Sequence, residues 1–319
     1  MAKSIAEYIT WLDERQDLIW PKPPAPRPLK ATPYLKPLPG VRAVAYEVYG
    51  TLLRIDGGRL QHIHPQQLRM QIALEKTIEE FRMWYSMSRK PGQPWEYLLQ
   101  QYTTLIEEDR LKPTKRKGDA REVSSPHIWR RWIDRLVKNE YQYEESFYGD
   151  PDDLALKVAY FFHANLQGTA AAEHARDVLA QVSSAGLLQG VICDGQPFTP
   201  AQLLRDLQRE SPMTSLSEVL SPGCTTVSAE MGVCKPSPSL FATGLAAFTK
   251  RGVDPGEILY VSHRIDDDIA AIRSFGVRTA LLATDAECCR VTADDLRDPD
   301  RKPDRLLTDL RQISQILRI

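Results

Sequence analysis

Val41–Leu53 reads VRAVAYEVYGTLL. Val41, Ala43, Val44, Ala45 and Tyr46 make an apolar run long enough for one strand buried in a parallel sheet. The carboxylate of Glu47 stands where that strand would end. A small Gly50-Thr51 turn follows, and two leucines lead away. In an open α/β sheet, ligands collect just outside the carboxyl ends of the strands. A carboxylate at that edge serves either chemistry or the capping of a turn.

The second half of the chain repeats this grammar. Leu188–Cys193, Ile258–Ser262 and Val277–Leu282 are further apolar strands. Between them lie helical stretches at Ala172–Ala185, Thr199–Leu207, Pro236–Phe248 and Asp268–Ser274. Gly186 and Gly276 act as C-caps, and Thr199-Pro200 opens a helix as N-cap and first-turn proline. Glu218–Leu220 and Thr225–Ser228 read as short extended pieces, and Arg305–Leu317 as a closing apolar-striped helix. Strand and helix in short alternation predict an α/β fold with a doubly wound parallel sheet.

Residues 60–165 interrupt the pattern and read as helical. Gln66–Tyr85 carries Leu68, Ile72, Ala73, Ile78, Phe81 and Trp84–Tyr85 at helical spacing, and Trp95–Ile106 and Asp152–Leu166 add helices. A helix from Ser125-Pro126 has a stripe of Ile128, Trp129, Trp132, Ile133 and Leu136. Arg110–Arg121 is a basic loop. It lacks aromatic residues for base stacking and reads as a solvated loop rather than a nucleic-acid site.

At the N-terminus, residues 1–20 read as one amphipathic helix with Ser4 and Glu7 at capping-box spacing and Ile5, Tyr8, Ile9, Leu12 and Ile19 on its stripe. Residues 21–40 hold eight prolines and form a stiff extended strap. It is either a ligand for a proline-recognising partner protein or a tether, and Leu29, Tyr34, Leu35 and Leu38 give a tether something to bury.

The 319 residues suffice for a full core, and the net charge of −1 provides no global attraction to nucleic acid or an anionic membrane. No apolar run reaches the roughly 20 residues of a membrane helix, and the N-terminus lacks a secretory h-region. Five cysteines without framework spacing point to a reducing, cytoplasmic setting.

The Glu47 stretch resembles the first motif of the haloacid dehalogenase (HAD) superfamily, in which a strand ends in Asp-x-Asp-Gly-Thr or Asp-x-Tyr-Gly-Thr and the first Asp is the nucleophile. Here the nucleophile position is Glu47, Tyr49 matches the dehalogenase-like branch, and Gly50 and Thr51 match both branches. The second motif, a strand-end Ser or Thr, corresponds to Cys193 followed by Asp194. The third, a lysine that neutralises charge, corresponds to Lys235 in GVCKPSPSLF, with Ser228 and Glu230 upstream. The fourth, Gly-Asp with a later acid that anchors Mg²⁺, corresponds to VSHRIDDDI, so that His263 replaces the Asp and Asp268 is the later acid. The resemblance implies a HAD-like core at 41–58 and 167–319, a helical cap insert at 59–166, and an N-terminal arm at 1–40. It implies Glu47, Tyr49, Thr51, Cys193, Asp194 and Lys235 as site residues. Glu47, His263 and Asp268 become the ligand set for a weakly held Mg²⁺ or none.

The substitutions bear directly on the chemistry. Aspartyl-phosphate catalysis needs a carboxylate in line with the leaving group. The extra methylene of Glu47 shifts its carboxylate by up to ~1.5 Å, and a ~1 Å misplacement costs on the order of 100-fold in rate. A thiol at Cys193 is a weak donor, and a neutral imidazole at His263 suits Mg²⁺ poorly. Two readings follow. One is a HAD-like protein with weakened or lost Mg²⁺-dependent phosphohydrolase activity and a binding or assembly role. The other is an active hydrolase using Glu47, with Lys235 as charge clamp. In either, a small phosphorylated or carboxylate-bearing molecule is the expected ligand.

Overall fold

Residues 2–87 and 92–319 are described by the computed structural model of this protein. Met1 of the expected first helix and residues 88–91 of the expected insert lie outside the described residues. Six parallel strands build the main sheet: β1 (Ala43–Tyr46), β2 (Leu188–Cys193), β3 (Thr225–Val227), β4 (Ile258–Ser262), β5 (Arg278–Leu282) and β6 (Arg305–Leu307). Their spatial order is β6-β5-β4-β1-β2-β3. The chain therefore winds outward one way from β1, then returns to β1 and winds the other way. The crevice between β1 and β4, where the winding reverses, is where an open sheet of this kind binds ligands.

Register brings the motif ends together there. Tyr46, the last residue of β1, lies opposite Val191 of β2 and Val261 of β4. Glu47, Cys193-Asp194 and Ser262-His263-Arg264 thus leave the same edge of the sheet side by side. β1 is buried on both faces, as its unbroken apolar run predicts. Val44 and Tyr46 face helices Ala175–Ser184, Thr199–Gln208 and Gln312–Leu317; Ala43 and Ala45 face helix Pro238–Thr249. Phe241, Leu245 and Phe248 of that last helix are buried, each contributing about 1.5–3 kcal/mol.

The segment between β1 and β2 is helical: Gln67–Glu80, Pro94–Arg110, Ser125–Val137 and Pro151–Leu166. Tyr102, Trp129 and Phe162 from three of these helices meet with ring centroids 5.0–5.3 Å apart. Two short antiparallel ribbons join this layer to the sheet layer: Leu53–Arg54 with Ala170–Ala171, and Ala120–Arg121 with Val233–Cys234. The second ribbon ends one residue before Lys235.

Several boundaries differ from expectation. The first helix spans Ile5–Glu14, not 1–20. Arg15 turns to extended geometry, where its guanidinium pairs with Asp17 and Glu80, and Ile19 is 80% exposed rather than on the stripe. The helix from Gln67 stops at Glu80, because Arg82 takes a left-handed conformation. Its buried face is Met70, Ala73, Leu74, Thr77 and Ile78; Leu68 and Ile72 face outward. The helix expected from Ala172 begins at Ala175, since Ala170–Ala171 joins the first ribbon. Glu218–Leu220, expected as an extended piece, is instead the last residue of a 3₁₀ turn (Leu216–Glu218) and the turn residues after it. Arg305–Leu317 is strand β6 followed by helix Gln312–Leu317, because a short apolar run also suits a buried strand.

The strap lies along the β6 side of the sheet. The backbone N–H groups of Leu29, Tyr34 and Leu38 donate to the carbonyls of Thr284, Leu306 and Ile316 at 3.3, 2.9 and 2.7 Å. Arg305 sits over the Tyr34 ring and donates to the carbonyls of Lys36 and Pro37. The edge strand is thereby covered by the chain itself, which blunts edge-to-edge pairing. Among the described residues, no helix is long and apolar enough to cross a membrane.

Candidate functional site

At the β1–β4 crevice, Glu47 is 1% exposed. Its Oε1 accepts from the Val48 N–H at 2.8 Å. Its Oε2 accepts from the ammonium of Lys235, from Arg264 Nη2 at 2.8 Å, and from the Asp194 N–H at 3.4 Å. Lys235 is held from two further sides. Tyr260 Oη accepts from it at 2.5 Å while donating to the Ile192 carbonyl at 3.0 Å, and Asp268 Oδ1 lies 3.3 Å away. Asp194 caps the arrangement, accepting the Lys235 N–H at 2.9 Å and Arg264 Nη1 at 2.8 Å.

Arg264 was not singled out by the sequence, yet it reaches three carboxylates. It forms a fork on Asp268 and bonds Glu47 and Asp194. Its neighbour Ser262 donates to Asp268 Oδ2. The signal available was the i,i+4 spacing of Arg264 and Asp268 at a strand-to-helix turn. That turn is a π-helical stretch, Ile265–Ala270, which swings Asp268 inward; Asp266 and Asp267 instead pair outward with Arg301 and Arg59.

The electrostatics follow from burial. Burial pushes Glu47 up from the ordinary carboxylate value, against the pull of Lys235 and Arg264. Burial also acts on Asp268, but there Arg264 and Lys235 win and hold the carboxyl well below its usual range. For Lys235, burial is outweighed by Asp268 and Glu47, and the ammonium is held above its usual value.

The remaining expected residues are placed less centrally. Cys193 is fully buried and its thiol points to the Thr226 carbonyl at 3.7 Å; burial and the Glu47 charge push it well above the thiol range, so it keeps its proton. Tyr49 lines the cleft, but its hydroxyl is bound to Thr199 Oγ1 and Gln202 Oε1 at 3.0 and 2.7 Å. Thr51 bonds His263 Nδ1 at 3.2 Å. His263 is buried against Gly50 and Gly58, and burial with the adjacent Arg264 charge depresses it to about 3, leaving a neutral ring.

Above the cluster is a cleft of about 290 Å³ between the sheet edge and the helical layer. Lys235, Arg264, Asp194 and Glu47 form its floor; Arg59, His62, Arg110, Arg121 and Glu122 line it from the other side. Arg110 ends helix Pro94–Arg110 and Arg121 lies in the second ribbon. These two flanking residues reach the cleft, while residues 111–118 between them are mostly exposed, as a solvated loop would be. A larger hollow of about 850 Å³ opens beside Trp11, Glu80 and Tyr148, away from the charged cluster.

Comparison with known proteins bears on the fold. Residues 233–313 match the family model described as HAD-hydrolase-like. The structure of a 2-haloacid dehalogenase from Pseudomonas syringae pv. Tomato is similar over 87% of this chain and 98% of that one, with a TM-score of 0.54 and 18% identity. The fold is that of the haloacid dehalogenase superfamily. A phosphoserine phosphatase of Thermus thermophilus is 30% identical over 136 residues, which is 42% of this chain. The match spans 46%, less than half, of that relative's length. A HAD phosphatase from Thermococcus onnurineus aligns over 87% of this chain and 98% of its own, with 14% identity and a TM-score of 0.47.

The HAD fourth motif is associated with Mg²⁺, and the residues here do not fit that ion. Among the described residues, no group of three His, Cys, Asp or Glu side chains is arranged to hold a metal. The expected set of Glu47, His263 and Asp268 is not assembled: His263 turns to Thr51, and the space between Glu47 and Asp268 holds the cationic nitrogens of Lys235 and Arg264.

Proposed function

We propose that this chain is a HAD-type, hydrolase-like protein that binds a small phosphorylated or carboxylate-bearing molecule in its cleft, with Mg²⁺-dependent phosphohydrolase activity weakened or lost. The supporting observation is the state of Glu47. Its Oε2 already accepts from Lys235 and Arg264, and its Oε1 from Val48. A nucleophile needs a lone pair free to approach the reacting atom in line. The cleft's Arg59, Arg110 and Arg121 supply the positive lining that an anion requires. We also keep the cytoplasmic setting, on the odd, unframed cysteine set.

The second reading is an active hydrolase with Glu47 as nucleophile. It is favoured by the convergence of Glu47, Asp194, Lys235 and Asp268 on one cluster.

Hydrolysis of a phosphomonoester panel separates the two, with phosphoserine tested first because the Thermus relative is a phosphoserine phosphatase. Wild type, Glu47→Ala and Glu47→Asp are assayed with Mg²⁺, with Mn²⁺ and with EDTA. The first reading expects a silent wild type and a raised melting temperature when an anion such as phosphoserine is added. Wild-type turnover that disappears in Glu47→Ala overturns it.

A further inference from the structure

A metal ion bridging Glu47 and Asp268 would sit about 2.0–2.1 Å from an oxygen of each. One atom of the chain already bridges those oxygens: Arg264 Nη2, 2.8 Å from Glu47 Oε2 and 2.8 Å from Asp268 Oδ1. Lys235 Nζ contacts the same two oxygens from another side, at 3.3 Å from Asp268 Oδ1. Nη1 of Arg264 reaches Asp194 Oδ2 at 2.8 Å. The guanidinium is buried, with its side chain 6% exposed, and burial of so large a cation is sustained only by the three carboxylates around it. The sequence supplies it from the start of the fourth-motif turn, where Arg264 follows His263.

We infer that Arg264 is a built-in replacement for the divalent cation of this fold, and that wild-type protein takes up neither Mg²⁺ nor Mn²⁺ at Glu47 and Asp268. A divalent ion could enter only by displacing the guanidinium or by standing in contact with a like charge. With Arg264 removed, Glu47 and Asp268 face Lys235 alone, and the gap left between their carboxylate oxygens has the chemistry of a hard-cation site completed by water. The inference concerns occupancy of the site and does not rest on whether the cleft turns over a substrate.

The test is a Mn²⁺ titration of the full chain, following free Mn²⁺ by electron paramagnetic resonance, for wild type, Asp268→Asn, Arg264→Ala and Arg264→Ala with Asp268→Asn. The expected result is no wild-type site that depends on Asp268. Arg264→Ala gains one site, roughly tenfold or more above any wild-type binding, and the double variant loses it. The melting temperature of Arg264→Ala rises with Mn²⁺ while that of wild type does not. Arg264→Gln, neutral but close in shape, gives the same readout should Arg264→Ala fail to fold. A wild-type Mn²⁺ site removed by Asp268→Asn overturns the inference, and so does a folded Arg264→Ala or Arg264→Gln protein that gains no site. Phosphomonoester turnover is a separate readout, so activity without metal uptake would defeat the proposed function and leave this inference standing.

Discussion

Arg264 and Asp268 form a two-point fork, Nε to Oδ2 at 3.2 Å and Nη2 to Oδ1 at 2.8 Å, with both side chains buried. Breaking a buried pair by removing one partner leaves an uncompensated charge and costs about 3–5 kcal/mol. Arg264→Ala and Asp268→Ala should each fall in that range by urea unfolding. The double variant should cost clearly less than the sum, because each single change already forfeits the same contact. A double variant that costs the full sum would show that the fork contributes little.

The same pair sets an acid limit. Asp268 has a folded-state value held below its unfolded one by Arg264 and Lys235. Its stabilisation is therefore complete above the unfolded value, about pH 4, and is lost as pH falls through the folded value. Glu47 runs the other way: its folded value is raised, so its contribution is present at low pH and is lost as pH rises. Between about pH 5 and pH 3, the melting temperature of wild type should drop more steeply than that of Asp268→Asn. Parallel curves would place the acid-sensitive group elsewhere.

What the sequence made legible follows from how each signal is encoded. Leu188–Cys193 and Ile258–Ser262 are strands at the residues expected. Residues 258–261 are a continuous apolar run of the kind a strand buried on both faces requires. In Leu188–Cys193 the apolar residues flank Gly190 and Gln189, whose buried amide donates to the Leu179 and Val219 carbonyls. Glu47, Asp194, Lys235 and Asp268 were found by motif spacing, and register places them together. Arg264 escaped because a charged residue beside three acids resembles a solvated helix start. Its i,i+4 spacing to Asp268 was the one hint, and its bonds to Glu47, Asp194 and Asp268 are what show the head pointing inward. Arg110 and Arg121 escaped for a related reason: charge alone does not say which ends of a loop reach a cleft. Arg305–Leu307 was ambiguous between helix and strand, and pairing with β5 decided it.

Gly50 offers a local test of how the first motif meets the fourth. Its φ is +78°, and a Cβ placed there would collide with the His263 ring. Left-handed geometry alone costs a non-glycine residue about 1–2 kcal/mol, and the clash adds to it. Gly50→Ala should therefore lose more than about 2 kcal/mol by denaturant unfolding. Combining it with His263→Ala should recover the clash portion but not the backbone portion. Full recovery would mean that the turn relaxes, and none would mean that His263 is not the obstacle.

The helix Ile5–Glu14 touches both layers of the molecule. Tyr8 and Leu12 are buried in the core of the helical layer, while Asp13 binds Arg205 of helix Thr199–Gln208 at 2.6 and 2.8 Å. A helix that contacts both layers resists their separation, whichever side each contact favours. Leu12→Ala should cost about 2–5 kcal/mol and speed amide hydrogen exchange in helix Pro151–Leu166, against which the arm packs. Asp13→Asn weakens the contact to Arg205, which retains Asp206 at 3.3 Å. It should therefore lower stability less than Leu12→Ala does. Because it loosens the sheet-layer anchor, it should still raise exchange in helix Thr199–Gln208. Unchanged exchange in both helices with either variant would show that the arm is a passenger on layers that hold together without it.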